Sequence, residues 1–143
     1  MWETTVGGAS VDPTMRSMVT VAAVMACLVL GALAVFQVLL ALGAPLGRFA
    51  WGGQHRVLPS SLRAGSVVSV VIYAVLATVV LARADLVPLA VPAGVVRTAT
   101  WVVVVYLLLG AGLNLASRSR PERAVMSPVT AVLCALYAVV ALS

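Results

Sequence analysis

The sequence predicts an all-α protein, an integral membrane bundle of four transmembrane helices. Three observations carry that prediction. Hydrophobic residues make up 63% of the chain and charged residues 9%, against about 25% charged in soluble domains, which leaves too little polarity to cover a soluble surface. The nine positive charges are all arginines, and they stand at the edges of long apolar runs instead of forming a basic stripe. Four of those runs have the length of a membrane crossing: 31 uncharged residues between Arg16 and Arg48, 19 between Arg63 and Arg83, 20 between Arg97 and Arg118, and 20 after Arg123. A helix needs roughly 20 residues to span the hydrocarbon core. Valine is abundant, but the runs are too long and unbroken for the short alternating strands of an outer-membrane barrel. In lipid, a helix satisfies its backbone within one segment.

The spans are expected at about 17–42, 64–83, 96–116 and 127–142, in a single domain covering 1–143. Asp12-Pro13 supplies an N-cap and a first-turn proline for the first span. Its apolar stretch is too long for the core of a signal peptide, and Glu3 and Asp12 precede it where a basic cluster would stand. The span is therefore expected to be retained. Pro59-Ser60-Ser61 precedes the second helix, and Pro88, Pro92 and Gly94 separate the second from the third. For the fourth, Ser119 and Glu122 have capping-box spacing, while Ser127-Pro128 reads as the N-cap and first helical residue. The latter predicts a short last helix of about 16 residues, from the positions of Ser127 and the chain's last residue.

Arginine placement predicts orientation. The 43–63 connection carries Arg48, Arg56 and Arg63, and the 118–126 connection carries Arg118, Arg120 and Arg123, against Arg16, Arg83 and Arg97 on the other side. Six against three places the first side in the cytoplasm and both termini outside. The same arginines suit the anionic surface of a cytoplasmic leaflet, and nucleic acid is not an expected partner.

Within the spans, small residues Ala23, Cys27 and Gly31 recur every fourth position and predict a close helix contact. Ser66, Ser69, Tyr73 and Ala77 share a face of the second helix, and Gly110 and Asn114 share one of the third. No Asp, Glu, Lys, Arg or His lies deep in a span, which argues against proton pumps and ion-coupled carriers. Cys27 and Cys134 stand singly in apolar runs; neither a disulfide, a metal site nor a cofactor is expected. Gln37 and Asn114 are the strongest polar groups in the spans. Both lie close to the arginine-rich side, where they either bond to neighbouring backbone or hydroxyls or floor a shallow polar site.

The 43–63 connection, GAPLGRFAWGGQHRVLPSSLR, is longer than most helix–helix connections. Phe49, Trp51 and Leu58 suit the headgroup level, four glycines permit tight turns, and prolines stiffen both ends. The segment is expected to lie at the interface as an ordered cap. The candidate binding or partner-contact residues are Gln37, Arg48, Trp51, His55, Arg56, Arg63, Asn114, Arg118, Arg120, Glu122 and Arg123. None is assigned a catalytic role.

The pattern GAPLG, WGGQH and LPSSLR, followed by NLASRSRPER and a short last span, is similar to a family of small bacterial four-span membrane proteins without an assigned activity. The resemblance covers nearly the whole chain. It implies the four-span fold and a bacterial inner-membrane setting, and no chemistry. It marks Gly43, Pro45, Gly47, Trp51, Gly52, Gly53, His55, Pro59 and Arg63 in the first connection, and Asn114, Ser117, Arg118, Ser119, Glu122 and Arg123 in the second.

Three functions fit these features. The first is an accessory or structural subunit packed against a larger membrane protein complex, or self-associating. The second is a protein that binds or transports lipid or a hydrophobic small molecule, which requires Gln37, Asn114 and the arginines to converge. The third is a membrane enzyme on a lipid-like substrate, which requires His55 beside Glu122.

Overall fold

The computed structural model describes residues 12–143; Met1–Val11, including Glu3, lie outside the described residues. Four helices follow one another: α1 (Pro13–Ala41), α2 (Ser60–Arg83), α3 (Ala93–Leu115) and α4 (Arg120–Ala141). All four are long and apolar enough to cross a membrane, and the protein is a multi-pass membrane bundle. Each helix packs on its sequence neighbours, and α4 closes the circle against α1. The 43–59 and 116–119 connections share one end of the bundle, hereafter the cap end.

The helix ends follow local chemistry. The Asp12 carboxylate accepts the Thr14 N–H at 3.0 Å, with Pro13 in the first turn, where a missing N–H costs nothing. α2 ends at Arg83 with Ala84 as its C-cap, after which Asp85 turns back with φ 56°. The fourth helix corrects the sequence reading. It starts at Arg120 and runs 22 residues, straight through Pro128. Ser119 is the true N-cap, its Oγ accepting the Glu122 N–H at 3.4 Å, and Pro121 occupies the first turn. Ser127 is buried and caps nothing. Both sites offer serine followed by proline nearby, but only the earlier one also has an acid in the first turn to complement the helix dipole.

The core runs along the bundle axis through Ala22, Ala23, Ala26 and Leu30 of α1, Leu76 and Val80 of α2, Val103 and Leu107 of α3, and Leu133, Tyr137 and Val140 of α4. The Tyr137 hydroxyl donates to the Leu76 carbonyl at 2.7 Å, so the one polar atom of this large buried side chain has a partner. Asn114 ties α3 to α4: its amide donates to Thr130 Oγ1 at 2.9 Å and to the Met126 carbonyl at 3.4 Å. Gly110, one turn earlier, faces the Thr130 methyl, as expected of a close contact between small residues.

Gly31 does not join the expected contact. It is exposed, and a Cβ there would meet open space, whereas Ala26 is fully buried. The contacting ridge is set by Ala22, Ala26 and Leu30 with Ala23 beside it. Starting the same four-residue period one position later turns the inferred face by about 100°. Ala26→Leu is therefore expected to lower the thermal midpoint in detergent and Gly31→Leu to leave it unchanged, since only the first forces two backbones apart. Equal midpoints in a fluorescence melt would contradict the packing.

Candidate functional site

At the cap end the chain leaves α1 at Leu42 and forms two short 3-10 turns, Gly47–Phe49 and Trp51–Gly53, before entering α2. A second, smaller core lies beneath them. Leu40, Ala50 and Leu58 are buried together, with Phe36, Leu46 and Leu62 packed around them. Leu58, expected at headgroup level, is thus part of the interior. The 43–59 segment is an ordered lid on the bundle.

Several polar contacts fix the lid and the helix ends that flank it. The Gly47 N–H donates to the Arg56 carbonyl at 3.1 Å, which closes the segment on itself. The Arg63 Nε donates to the Ala41 carbonyl at 2.6 Å. Arg63 thereby caps the C-terminus of α1 from the neighbouring helix, where a cation complements the dipole. A further contact is made by Glu122, which is 7% exposed. Its carboxylate accepts the Gly52 N–H at 3.1 and 3.3 Å and the Ser117 hydroxyl. Ser117 Oγ in turn accepts the Ser119 N–H at 3.2 Å, and the Ser119 hydroxyl donates to the Arg48 carbonyl at 2.6 Å. A capping box would send the Glu122 side chain back to the Ser119 N–H. Here Ser117 takes that donor, and the carboxylate is free to reach the lid 70 residues away in sequence.

The lid lies close against the α3–α4 turn. A Cβ at Gly53, where φ is 68°, would fall 2.3 Å from Ser119 Oγ. Only glycine combines that backbone conformation with that approach. Trp51 has φ 55°, a costly conformation for a bulky residue. Its indole N–H donates to Ser66 Oγ at 3.3 Å, and its ring lies over Gly65.

The candidates from sequence, Gln37 aside, separate into two groups. Glu122, Trp51, Arg63 and Asn114 are engaged in holding the fold. Arg48, His55, Arg56, Arg118, Arg120 and Arg123 are exposed. Among the described residues no arginine side chain pairs with an Asp or Glu side chain, and the Arg48 guanidinium sits 4.9 Å from the centroid of the Phe49 ring. No hydrogen bond joins His55 to Glu122 or Gln37 to Asn114. Gln37 is 8% exposed, and its Oε1 has no partner among the described residues; Ser127 Oγ is buried in the same state. Sequence reasoning missed Ser66 as the indole's partner and Gly65 as its bed. Ser119 was legible as a capping-box serine, while the hydroxyl of Ser117 was marked only through the family resemblance.

No family model matches the chain, and neither does a curated protein or a solved structure.

Proposed function

We propose that the chain is an accessory or structural subunit of a larger bacterial membrane protein complex, placed in the cytoplasmic membrane with its cap end inside. One observation carries this reading: the two groups on which the rival chemistries depend, the Glu122 carboxylate and the Asn114 amide, are spent on the protein's own shape. Glu122, the acid such a pairing with His55 would use, is occupied by the Gly52 N–H and the Ser117 hydroxyl. A membrane enzyme built on a His55–Glu122 pair would need that carboxylate free and within reach. A carrier built on Gln37 and Asn114 would need both amides to face one pocket, but Asn114 is committed to Thr130 and Met126. The outward faces of the helices, with Leu28, Val35, Val71, Val102 and Leu108 exposed, are suited to acyl chains or to the helices of a neighbour.

Purification from native membranes in mild detergent, followed by native mass spectrometry, tests the assignment. A larger membrane protein bound in fixed stoichiometry is the expected result. Recovery of the chain alone, at native expression level and without cross-linker-trapped partners, would overturn it. The orientation rests on six arginines at the cap end against three at the other. A cysteine at Ser60 should be shielded from an impermeant maleimide in intact cells, and ready labelling from outside would reverse the topology.

A further inference from the structure

The lid gathers arginines that are far apart in sequence. The Ser119 hydroxyl on the Arg48 carbonyl places Arg48 beside Arg118 and Arg120. The Gly47 N–H on the Arg56 carbonyl brings Arg56 alongside Arg48. Arg123 stands one helical turn on, its N–H bonded to the Ser119 carbonyl at 2.9 Å. All five side chains are exposed. Among the described residues the one acid at this end, Glu122, is turned inward onto the Gly52 N–H and compensates none of them by an ion pair. Mutual repulsion in such a cluster is relieved by bound anions, and arginine matches the two oxygens of a phosphate with its planar fork.

We propose that this cluster is a binding surface for the phosphates of acidic phospholipids. What favours a lipid over a soluble anion or an acidic protein is the surface directly alongside. Leu42 and Leu113 are each 74% exposed, and Leu115 and Trp51 are also exposed. Leu113 and Leu115 lie within about one and a half helical turns before Arg118, Leu42 is the C-cap of α1 ahead of the lid, and Trp51 follows Arg48 in the lid itself. Acyl chains lying on the leucines would bring a headgroup phosphate to the level of the cluster, with Trp51 at the boundary between them. A lipid meets both halves of the surface, and inorganic phosphate meets one. The inference is independent of the subunit assignment, because it concerns a surface the chain presents by itself.

Binding can be read with the purified full chain in neutral detergent, titrated with phosphatidylglycerol or phosphatidylcholine and followed by native mass spectrometry. Phosphatidylglycerol should bind preferentially and in a salt-sensitive manner. The pair Arg48→Gln with Arg118→Gln should weaken it about 25-fold, at about fivefold per arginine. Arg16→Gln with Arg97→Gln removes the same charge from the opposite end and should leave the affinity unchanged. Glu122→Ala separates a gathered cluster from simple net charge: it makes the chain more positive yet releases the lid, so affinity should fall. Helical content by circular dichroism verifies that the bundle persists in each variant. Equal affinity for both lipids, equal loss with the opposite-end pair, stronger binding by Glu122→Ala, or full displacement by millimolar inorganic phosphate would each overturn the proposal. So would arginine variants that lose an acidic protein partner while binding lipid normally.

Discussion

Gly47→Ala should unseat the lid. A Cβ at this position would fall 2.2 Å from the His55 carbonyl oxygen and 3.1 Å from a Leu58 methyl. The obstacle is backbone, so no rotamer change can clear it. Moving the His55 carbonyl away also pulls on the adjoining Arg56 carbonyl, which accepts the Gly47 N–H. The one substitution therefore strains the closure of the segment and the packing of Leu58 in the second core. Overpacking of this kind costs about 2 kcal/mol, enough to speed amide exchange in the lid roughly 30-fold. The readout is exchange at Ala50–Arg56 in detergent or nanodiscs, with the α1 and α4 interiors as internal reference. Gly94→Ala, where a Cβ would meet nothing within 4 Å, serves as control. Exchange at Ala50–Arg56 unchanged from the parent, with Gly47→Ala fully helical, would mean that the segment is not seated as described.

Arginine spacing made the four helices legible, because charge is excluded from the hydrocarbon core and so leaves gaps of a fixed minimum length. The cap at Asp12 was legible for a similarly local reason, whereas Ser60 and Ser61, expected ahead of the second helix, form its first turn. The start of α4 was not, because two serine–proline signals compete within ten residues of sequence, and the outcome depends on contacts that Ser119 makes with the lid. The face of α1 was misjudged at Gly31 because a period of four identifies a ridge without saying which ridge is covered. At the cap end, composition pointed to an ordered lid, and the two 3-10 turns with their buried Ala50 and Leu58 agree with that expectation. The role of Glu122 lay beyond sequence reasoning. Its partner is a backbone N–H in another connection, and a backbone donor leaves no signature in residue identity. The same holds for Arg63, which reads as a topology-setting charge but donates to the carbonyl of Ala41.

Trp51 provides the sharpest test of how the lid is held, because here strain and packing oppose each other. The left-handed backbone at φ 55° costs a non-glycine residue about 1–2 kcal/mol. That cost is offset by the ring lying over Gly65 and the indole N–H on Ser66. Trp51→Ala discards the contacts and keeps the strain. Trp51→Gly discards the contacts and the strain together. Glycine should therefore be the milder substitution by about 1 kcal/mol, the reverse of what side-chain size alone predicts. Gly65 gives the complementary arm. A Cβ there would sit 2.7 Å from the indole ring, so Gly65→Ala should destabilise the lid while Trp51 is present. Once the ring is removed, the same change should be nearly neutral or slightly favourable, since alanine suits a helix better than glycine. The double-mutant cycle should then show a coupling of about 1–2 kcal/mol between positions 51 and 65, measured from lid amide exchange. Additive effects, together with Trp51→Ala equal to Trp51→Gly, would show that the ring does not rest on α2 and that the lid is held by Glu122, Ser119 and the Leu58 core without it.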